Sequence, residues 1–137
     1  MNDHQDKRYG DFLIYNTPDG EARIEVRFEE ETLWMSQQEM SVLFQTTKQN
    51  ISLHIRNIYE EGELDKGATV KEYLTVQNEG DRKVKRPINY YNLDMILSVG
   101  YRVKSAIGTH FRKWATERLR EYLVKGFVMN DERLKDP

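Results

Sequence analysis

Apolar and polar side chains alternate along the first part of the chain. The segments DFLIYN (residues 11–16) and ARIEVRF (residues 22–28) place apolar residues at alternate positions, and the turn sequence TPDG separates them. A third short apolar segment, TLWM (residues 32–35), follows an acidic corner. A period of two is typical of strands whose two faces meet different surroundings, so these segments predict a small antiparallel sheet.

The apolar period lengthens after residue 35 and becomes helical. Ser36 and Glu39 have the spacing of a capping box, which predicts that a helix begins there. A polar elbow follows, and a second helix is predicted to begin near Thr47 and to end at Gly62. The side chains expected to point inward are Met40, Leu43 and Phe44 in the first helix, and Ile51, Ile55 and Ile58 in the second.

The second half of the chain predicts a hairpin and two more helices. Residues 71–92 contain two strand-like segments around a basic turn. Pro87 predicts a sheet edge or a bulge at its position, because proline has no N–H to donate to a neighbouring strand. Helices are predicted over residues 92–104 and 105–125, with Gly126 ending the second.

These elements predict an α+β fold. It consists of a small antiparallel sheet with a helix-turn-helix pair, a wing-like β-hairpin and two C-terminal helices. Phe111 and Trp114 are expected to fill the core beneath the helix pair, with help from Trp34. The expected organisation is a flexible N-terminus over residues 1–10, a single winged-helix-like domain over residues 11–127, and a tail or the start of a truncated C-terminal region over residues 128–137.

Composition narrows the class of protein. The 137 residues include no cysteine, so disulfides and thiolate metal sites are excluded, and no apolar run approaches the roughly 20 residues of a membrane span. A cytoplasmic protein without membrane contact is therefore expected. The net charge is −2, but residues 92–127 carry seven bases and three acids, so one face is expected to attract phosphate. The alternative is a helix with an ordinary solvated charged side.

The helix pair fits the pattern of a helix-turn-helix motif that reads DNA. Such a motif places the start of its second helix in the major groove, where Gln and Asn pair with adenine and Lys or Arg with guanine or phosphate. Two positions depart from it, since Gln45 replaces the usual turn glycine and must adopt a left-handed backbone, and Thr46 replaces an apolar residue. A plain helical hairpin within a core is the alternative. The residues expected to meet DNA are Thr46, Thr47, Lys48, Gln49, Asn50, Ser52, His54 and Arg56.

The hairpin that follows the pair extends the basic surface. As a wing, it is expected to lie along the phosphate backbone through Lys83, Lys85 and Arg86, which positions a protein on DNA without reading sequence. The alternative is a solvated edge strand whose lysines deter aggregation. Further contacts are expected from Arg102, Lys104, Arg112 and Lys113.

The sequence offers little for catalysis. His4, His54 and His110 are far apart and lack ligand spacing, and no glycine-rich phosphate loop, nucleophile elbow or metal signature is present. No catalytic residue, metal or cofactor is therefore expected, and the protein is not expected to be an enzyme. The acids interpreted as solvated helix-end charges without a basic partner are Glu60, Glu61 and Glu63.

Three segments carry a resemblance to a known family. TTKQNISLHI, YNLDMILSVGYRVKS and FRKWATERLREYL resemble the RhuM family of bacterial virulence-associated proteins, and the likeness covers about residues 24–134. Members of that family are usually longer, so the chain is similar to their N-terminal domain. A weaker likeness, to the N-terminal DNA-binding domain of phage antirepressors and BRO proteins, implies DNA binding and a mobile-element ancestry. The residues that carry it are Phe111, Arg112, Trp114, Ala115 and Thr116.

The expectation is therefore a DNA-binding module with a regulatory or targeting role. Residues 47–59 would read duplex DNA, and the hairpin over residues 71–91 would contact phosphate. The alternative is a protein–protein interaction module of a virulence, effector or toxin–antitoxin system, acting on a protein partner or as a homodimer. A basic surface around Lys48 favours the first class, and an apolar patch of roughly several hundred Å² favours the second.

Overall fold

The computed structural model describes residues 11–104 and 106–135, with side chains over residues 12–104 and 106–121. Its α+β architecture confirms the predicted class. The strands are β1 (Asp11–Asn16), β2 (Arg23–Glu29), β3 (Thr32–Ser36), β4 (Val70–Glu79) and β5 (Arg82–Asn92). The helices are α1 (Gln37–Leu43), α2 (Lys48–Glu60), the short α3 (Lys66–Thr69), α4 (Leu93–Val103) and α5 (Ala106–Lys135).

The hairpin and the N-terminal strands belong to one sheet. The order is β1-β2-β3-β5-β4, and all the pairings are antiparallel. The last residues of β5 pair with β3, where Met35 lies opposite Tyr91. This junction supplies partners for backbone groups of β3, which would otherwise be buried unpaired beside a core residue. The wing-like hairpin predicted from the sequence is thus a continuation of the predicted small sheet.

Beyond this junction the hairpin projects from the body. β4 and β5 pair from Val70–Tyr91 as far as Glu79–Arg82, across a two-residue turn that begins at Gly80, whose φ is 64°. In the described residues, β3 pairs with β5 only at Tyr90–Asn92. Pro87 therefore has β4 on one side and a free edge on the other, which confirms the predicted edge position and suits a residue without an N–H.

One face of the sheet packs against the helices to form the core. Strand alternation places Leu33 and Met35 in this core, and Phe111 of α5 is fully buried there. Trp114 is partly buried beside it, with its ring centroid 5.5 Å from that of Phe111. The inward residues predicted for α1 and α2 are all buried, namely Met40, Leu43, Phe44, Ile51, Ile55 and Ile58.

Trp34 is buried on the opposite face of the sheet, so its predicted role beneath the helix pair was wrong. The reason is the strand period, because Trp34 lies between two residues that face the helices. Its Nε1 donates to the Glu29 carbonyl oxygen at 2.9 Å, and the ammonium of Lys71 lies 5.2 Å from its ring centroid.

The last helix is longer than predicted. α5 continues through Gly126 to Lys135, because glycine inside a helix costs only about 1 kcal/mol and does not by itself end it. At its start it approaches α4 closely, since a Cβ on Gly108 would lie 3.3 Å from the carbonyl oxygen of Gly100. The predicted flexible residues 1–10 lie outside the described residues, and the domain limits 11–127 stay a prediction. Within the described chain, no helix combines the length and hydropathy required to cross a membrane.

Candidate nucleic-acid interface

Side-chain hydrogen bonds fix the turn between α1 and α2. Thr47 caps α2, and its Oγ1 accepts from the backbone N–H of Asn50 at 3.0 Å. Gln45 adopts the left-handed backbone predicted from the sequence, with φ of 54°. Its Nε2 donates to Asp19 Oδ2 at 3.1 Å, which ties the turn to the loop between β1 and β2. These contacts set the direction in which α2 leaves the turn.

The outer side of α2 is polar and solvent-facing. Lys48, Gln49, Ser52 and Arg56 are exposed, while His54 is half-buried. The apolar stripe explains this orientation, because it holds the isoleucines of α2 against the core and leaves the opposite side to water. Each of these five residues was predicted to meet DNA, and the structure places them along one helix.

Asn50 and Thr46 form a side-chain hydrogen bond within the turn. The Asn50 side-chain Nδ2 donates to Thr46 Oγ1 at 2.9 Å, and Asn50 is half-buried. Its amide donor is therefore engaged inside the protein, and Thr47 Oγ1 is engaged by the cap. Sequence alone does not distinguish an asparagine that closes a turn from one that reads a base, because both sit at the start of a helix.

Two cations of α2, Lys48 at its start and Arg56 in its second half, face solvent. Neither Lys48 nor Arg56 has an ion-pair partner among the described side chains. No acidic residue occurs between Thr46 and Tyr59 in the sequence. Both cations are therefore available to an external anion without first losing an internal carboxylate.

The far end of α2 has the opposite arrangement. Arg102 Nη2 lies 2.7 Å from Glu61 Oε1 and 2.9 Å from Glu63 Oε1. Hydrogen bonds from Arg102 lower the pKa of both carboxyl groups, and the same bonds raise the pKa of Arg102. The interpretation of these acids as solvated charges without a basic partner was wrong, because α4 brings Arg102 to them from a distant part of the sequence.

A polar cleft lies between the hairpin and the helix pair. It has a volume of about 530 Å³. Lys48 from α2 and Arg86 from β5 both line it, so two predicted DNA-binding residues from different elements border one cleft. The neutral polar side chains that join them were not predicted, and they are Ser36, Gln37, Gln38, Gln77 and Asn89.

Arg86 is held by an acid across the hairpin. Its Nε and Nη2 each lie 2.8 Å from a carboxylate oxygen of Glu79. These bonds lower the pKa of Glu79 and raise that of Arg86. Both side chains are largely exposed, and exposed ion pairs contribute little net stability. Arg86 can therefore exchange this carboxylate for a phosphate at small cost.

The remaining predicted cations lie on other surfaces. Lys83 and Lys85 are exposed, but strand alternation places them on the opposite face of β5 from Arg86. Lys104 and Arg112 line a separate, mainly apolar groove of about 680 Å³ between α4 and α5. Lys113 is exposed on α5. The structure thus gathers some of the predicted residues at the cleft and disperses others.

Titratable side chains do not cluster in a way that indicates a metal site. Within the described residues, no group of three His, Asp or Glu side chains could hold a metal ion. His110 Nδ1 lies 2.7 Å from the hydroxyl of Tyr15, and burial raises the pKa of that tyrosine. His54 stands on α2, and His4 lies outside the described residues.

Comparison with protein families gives a match for the second half of the chain. The sequence model of the virulence protein RhuM family matches residues 68–137, about half of the chain. This range begins at the end of α3 and includes the β4–β5 hairpin, α4 and α5, while the helix pair precedes it. No curated protein and no solved structure matches the chain.

Proposed function

The chain belongs to the RhuM family of virulence proteins, and we propose that it serves such a protein as a DNA-binding module with a regulatory or targeting role. The observation that carries this proposal is the cleft that Lys48 and Arg86 both line. One of these cations stands at the start of a helix and the other on a hairpin. Such a pairing suits a duplex, because one element can enter a groove while the other follows the backbone beside it.

In this proposal α2 is the reading helix of a helix-turn-helix motif. Gln49 can pair with an adenine edge, and Arg56 can bind guanine or phosphate. Asn50, Thr46 and Thr47 support the turn through their internal hydrogen bonds. The amides at the helix start would then meet a phosphate oxygen, where the helix dipole favours negative charge.

The hairpin acts as the wing. A phosphate in the cleft would lie between Lys48 and Arg86, and the neutral amides of Gln38 and Gln77 would supply further donors. Lys83 and Lys85, on the other face of the hairpin, would be available to a neighbouring stretch of backbone. Arg102 is less available to phosphate, because it already forms ion pairs with two carboxylates.

A protein-binding module is the second candidate, and two apolar surfaces favour it. Tyr101 is 82% exposed beside the α4–α5 groove, and Leu74 and Val76 are exposed next to each other on one face of the hairpin. Surfaces of this kind can bind another protein or a second copy of the chain. Neither lies on the outer side of α2, so both functions can coexist in one molecule.

The test is binding to random duplex DNA by fluorescence anisotropy at about 50 to 200 mM salt. The wild type is compared with a Lys48→Ala/Arg56→Ala variant and with an Arg23→Ala/Lys66→Ala control. The control removes the same charge from exposed positions that lie neither on α2 nor in the cleft. If both α2 cations meet phosphate, the first variant should reduce the log–log salt slope by about 1.8, and the control should change it much less.

Two results would contradict the proposal. One is the absence of binding by the wild type at the lowest salt concentration. The other is an equal loss of slope in both variants, which would indicate attraction by total charge rather than by α2. Circular dichroism and urea unfolding of each variant establish that the comparison is made between folded proteins. Sedimentation of the wild type at increasing concentration tests self-association, which the second candidate includes.

A further inference from the structure

The polar outer side of α2 contains one exposed apolar residue. Leu53 is 42% exposed, although the isoleucines of the same helix are buried. Gln49 precedes it by four residues and Arg56 follows it by three, and both are exposed. Residues at these spacings are neighbours on a helix surface, so Leu53 stands between two side chains that are suited to base edges.

The side chains around Leu53 favour a small apolar group that belongs to a negatively charged ligand. A groove that binds a helix uses a row of apolar anchors at successive turns. On α2, whose side chains are all described, Leu53 is the one large hydrophobic residue that is exposed. The helix also lacks an acid before Glu60. A single leucine among cations and amides fits a methyl group in the DNA major groove better than an apolar protein surface.

Resting on the proposed function, we propose that Leu53 packs against the C5 methyl group of a thymine and selects thymine at one position of the DNA site. Thymine is the base that presents a methyl group in the major groove. Four residues of helix rise about 6 Å, and successive base pairs are separated by about 3.4 Å. The selected thymine should therefore lie within about two base pairs of the base that Gln49 contacts.

The experiment changes the DNA rather than the protein fold. A preferred site is first selected from random duplexes with the wild-type chain. Each thymine of that site is then replaced by deoxyuridine, which lacks the methyl group and keeps the same hydrogen-bonding groups. At one position the wild type should bind about fourfold more weakly, because burying one methyl group is worth about 0.8 kcal/mol and tenfold in affinity corresponds to about 1.4 kcal/mol.

Two variants assign that effect to a side chain. Leu53→Ala should lose most of the preference for thymine over deoxyuridine, because the branched end of the side chain that reaches the methyl group is gone. Val42→Ala is the matched control, since Val42 is 41% exposed on α1 and its truncation leaves Leu53 in place. This control should retain the fourfold preference for thymine at the same position.

The outcomes separate this inference from the function on which it rests. If the wild type binds a selected site but no single methyl group matters, the role of Leu53 is refuted and DNA binding stands. The same conclusion follows if Leu53→Ala still prefers thymine as the wild type does. If the wild type binds no duplex at all, the proposed function and the role of Leu53 fail together.

Discussion

The cations of α2 and the cation beside its C-terminal end are in opposite states. Lys48 and Arg56, on α2 itself, have no described ion-pair partner, whereas Arg102 of α4 is held at the end of this helix by Glu61 and Glu63. The difference teaches that a count of basic residues does not measure what a surface offers to phosphate, because internal carboxylates occupy some cations and leave others available.

The largest effect on this contrast is expected from a substitution that weakens the packing of α2 against the core. Ile51 is fully buried, so Ile51→Ala should lower the free energy of unfolding by about 2–5 kcal/mol through lost packing and a residual cavity. DNA affinity should fall with it, because both ends of α2 depend on the same packing. Urea denaturation measures the change. Leu53→Ala on the outer side is the control and should alter stability by less than about 0.5 kcal/mol; equal losses would show that the buried stripe does not anchor α2.

A smaller change acts on the start of the helix alone. Thr47→Ala removes the Oγ1 that accepts from the Asn50 N–H, and it should cost about 1 kcal/mol, or about 4 °C in Tm. Thr47→Ser retains the acceptor and should stay close to the wild type. Thermal melts followed by circular dichroism make the comparison. A serine variant as unstable as the alanine variant would mean that the threonine methyl group, rather than the cap, is what matters.

A third change acts on the other end alone. Arg102→Ala removes the partner that lowers the pKa of Glu61 and Glu63 below their ordinary value of 4.5. Groups with a lowered folded-state pKa stabilise the protein above their unfolded pKa, and this stability is lost as pH falls through the folded-state values. The wild type should therefore exceed Arg102→Ala in stability at pH 7, with the advantage vanishing as the pH falls below about 4.5.

Urea unfolding at several pH values measures this advantage, and added salt should reduce it because the groups are exposed. The DNA salt slope of Arg102→Ala should change less than that of Lys48→Ala/Arg56→Ala. A larger slope change for Arg102→Ala would reverse the contrast between Arg102 and the cations of α2. Arg102→Lys serves as the control, because it keeps the charge and loses the guanidinium geometry.

The smallest effect on stability is expected at the start of α1, whose first turn contains an acid, Glu39, rather than a cation. Burial raises the pKa of Glu39, although its Oε1 accepts from the Ser36 N–H at 2.9 Å. A raised folded-state pKa means that stability is lost as pH rises from 4.5 through the folded-state value. Glu39→Gln can keep the capping box and should be slightly more stable than the wild type at pH 7 but not below pH 4.5. A constant difference across this pH range would contradict the explanation.

Much of the fold followed from local patterns in the sequence. The capping box at Ser36, the left-handed backbone at Gln45 and the edge position of Pro87 each depend on residues close in the chain. The pairing of β3 with β5 could not be predicted, because register between distant segments leaves no period in either of them. Strand alternation predicts that Trp34 faces away from its two neighbours in the strand. It does not indicate which face of the sheet the helices cover.

The candidate site was likewise predictable from the sequence only in part. Helical spacing predicted that Lys48, Gln49 and Arg56 share the outer side of α2. The pairing of Arg86 with Glu79 and the cleft that Arg86 shares with Lys48 depend on how the hairpin folds and projects, which the composition of the hairpin does not specify. Leu53 was expected around the start and outer side of this helix but was given no role, because an exposed leucine is ordinary on its own. The role proposed for it rests on its spacing from Gln49 and Arg56.

The projecting hairpin can differ in length without any change in the core. From Lys71–Tyr90 outward to Glu79–Arg82, each strand of the hairpin has the other as its neighbour in the sheet, with β3 joining beside Tyr90 in the described residues. Adding or removing two residues from both strands near the tip would preserve which face of the hairpin each side chain beyond the change occupies, whereas a one-residue change would invert those faces. Related proteins could therefore differ in hairpin reach by such even steps while keeping one core, and each step would alter how far along a bound duplex the protein extends.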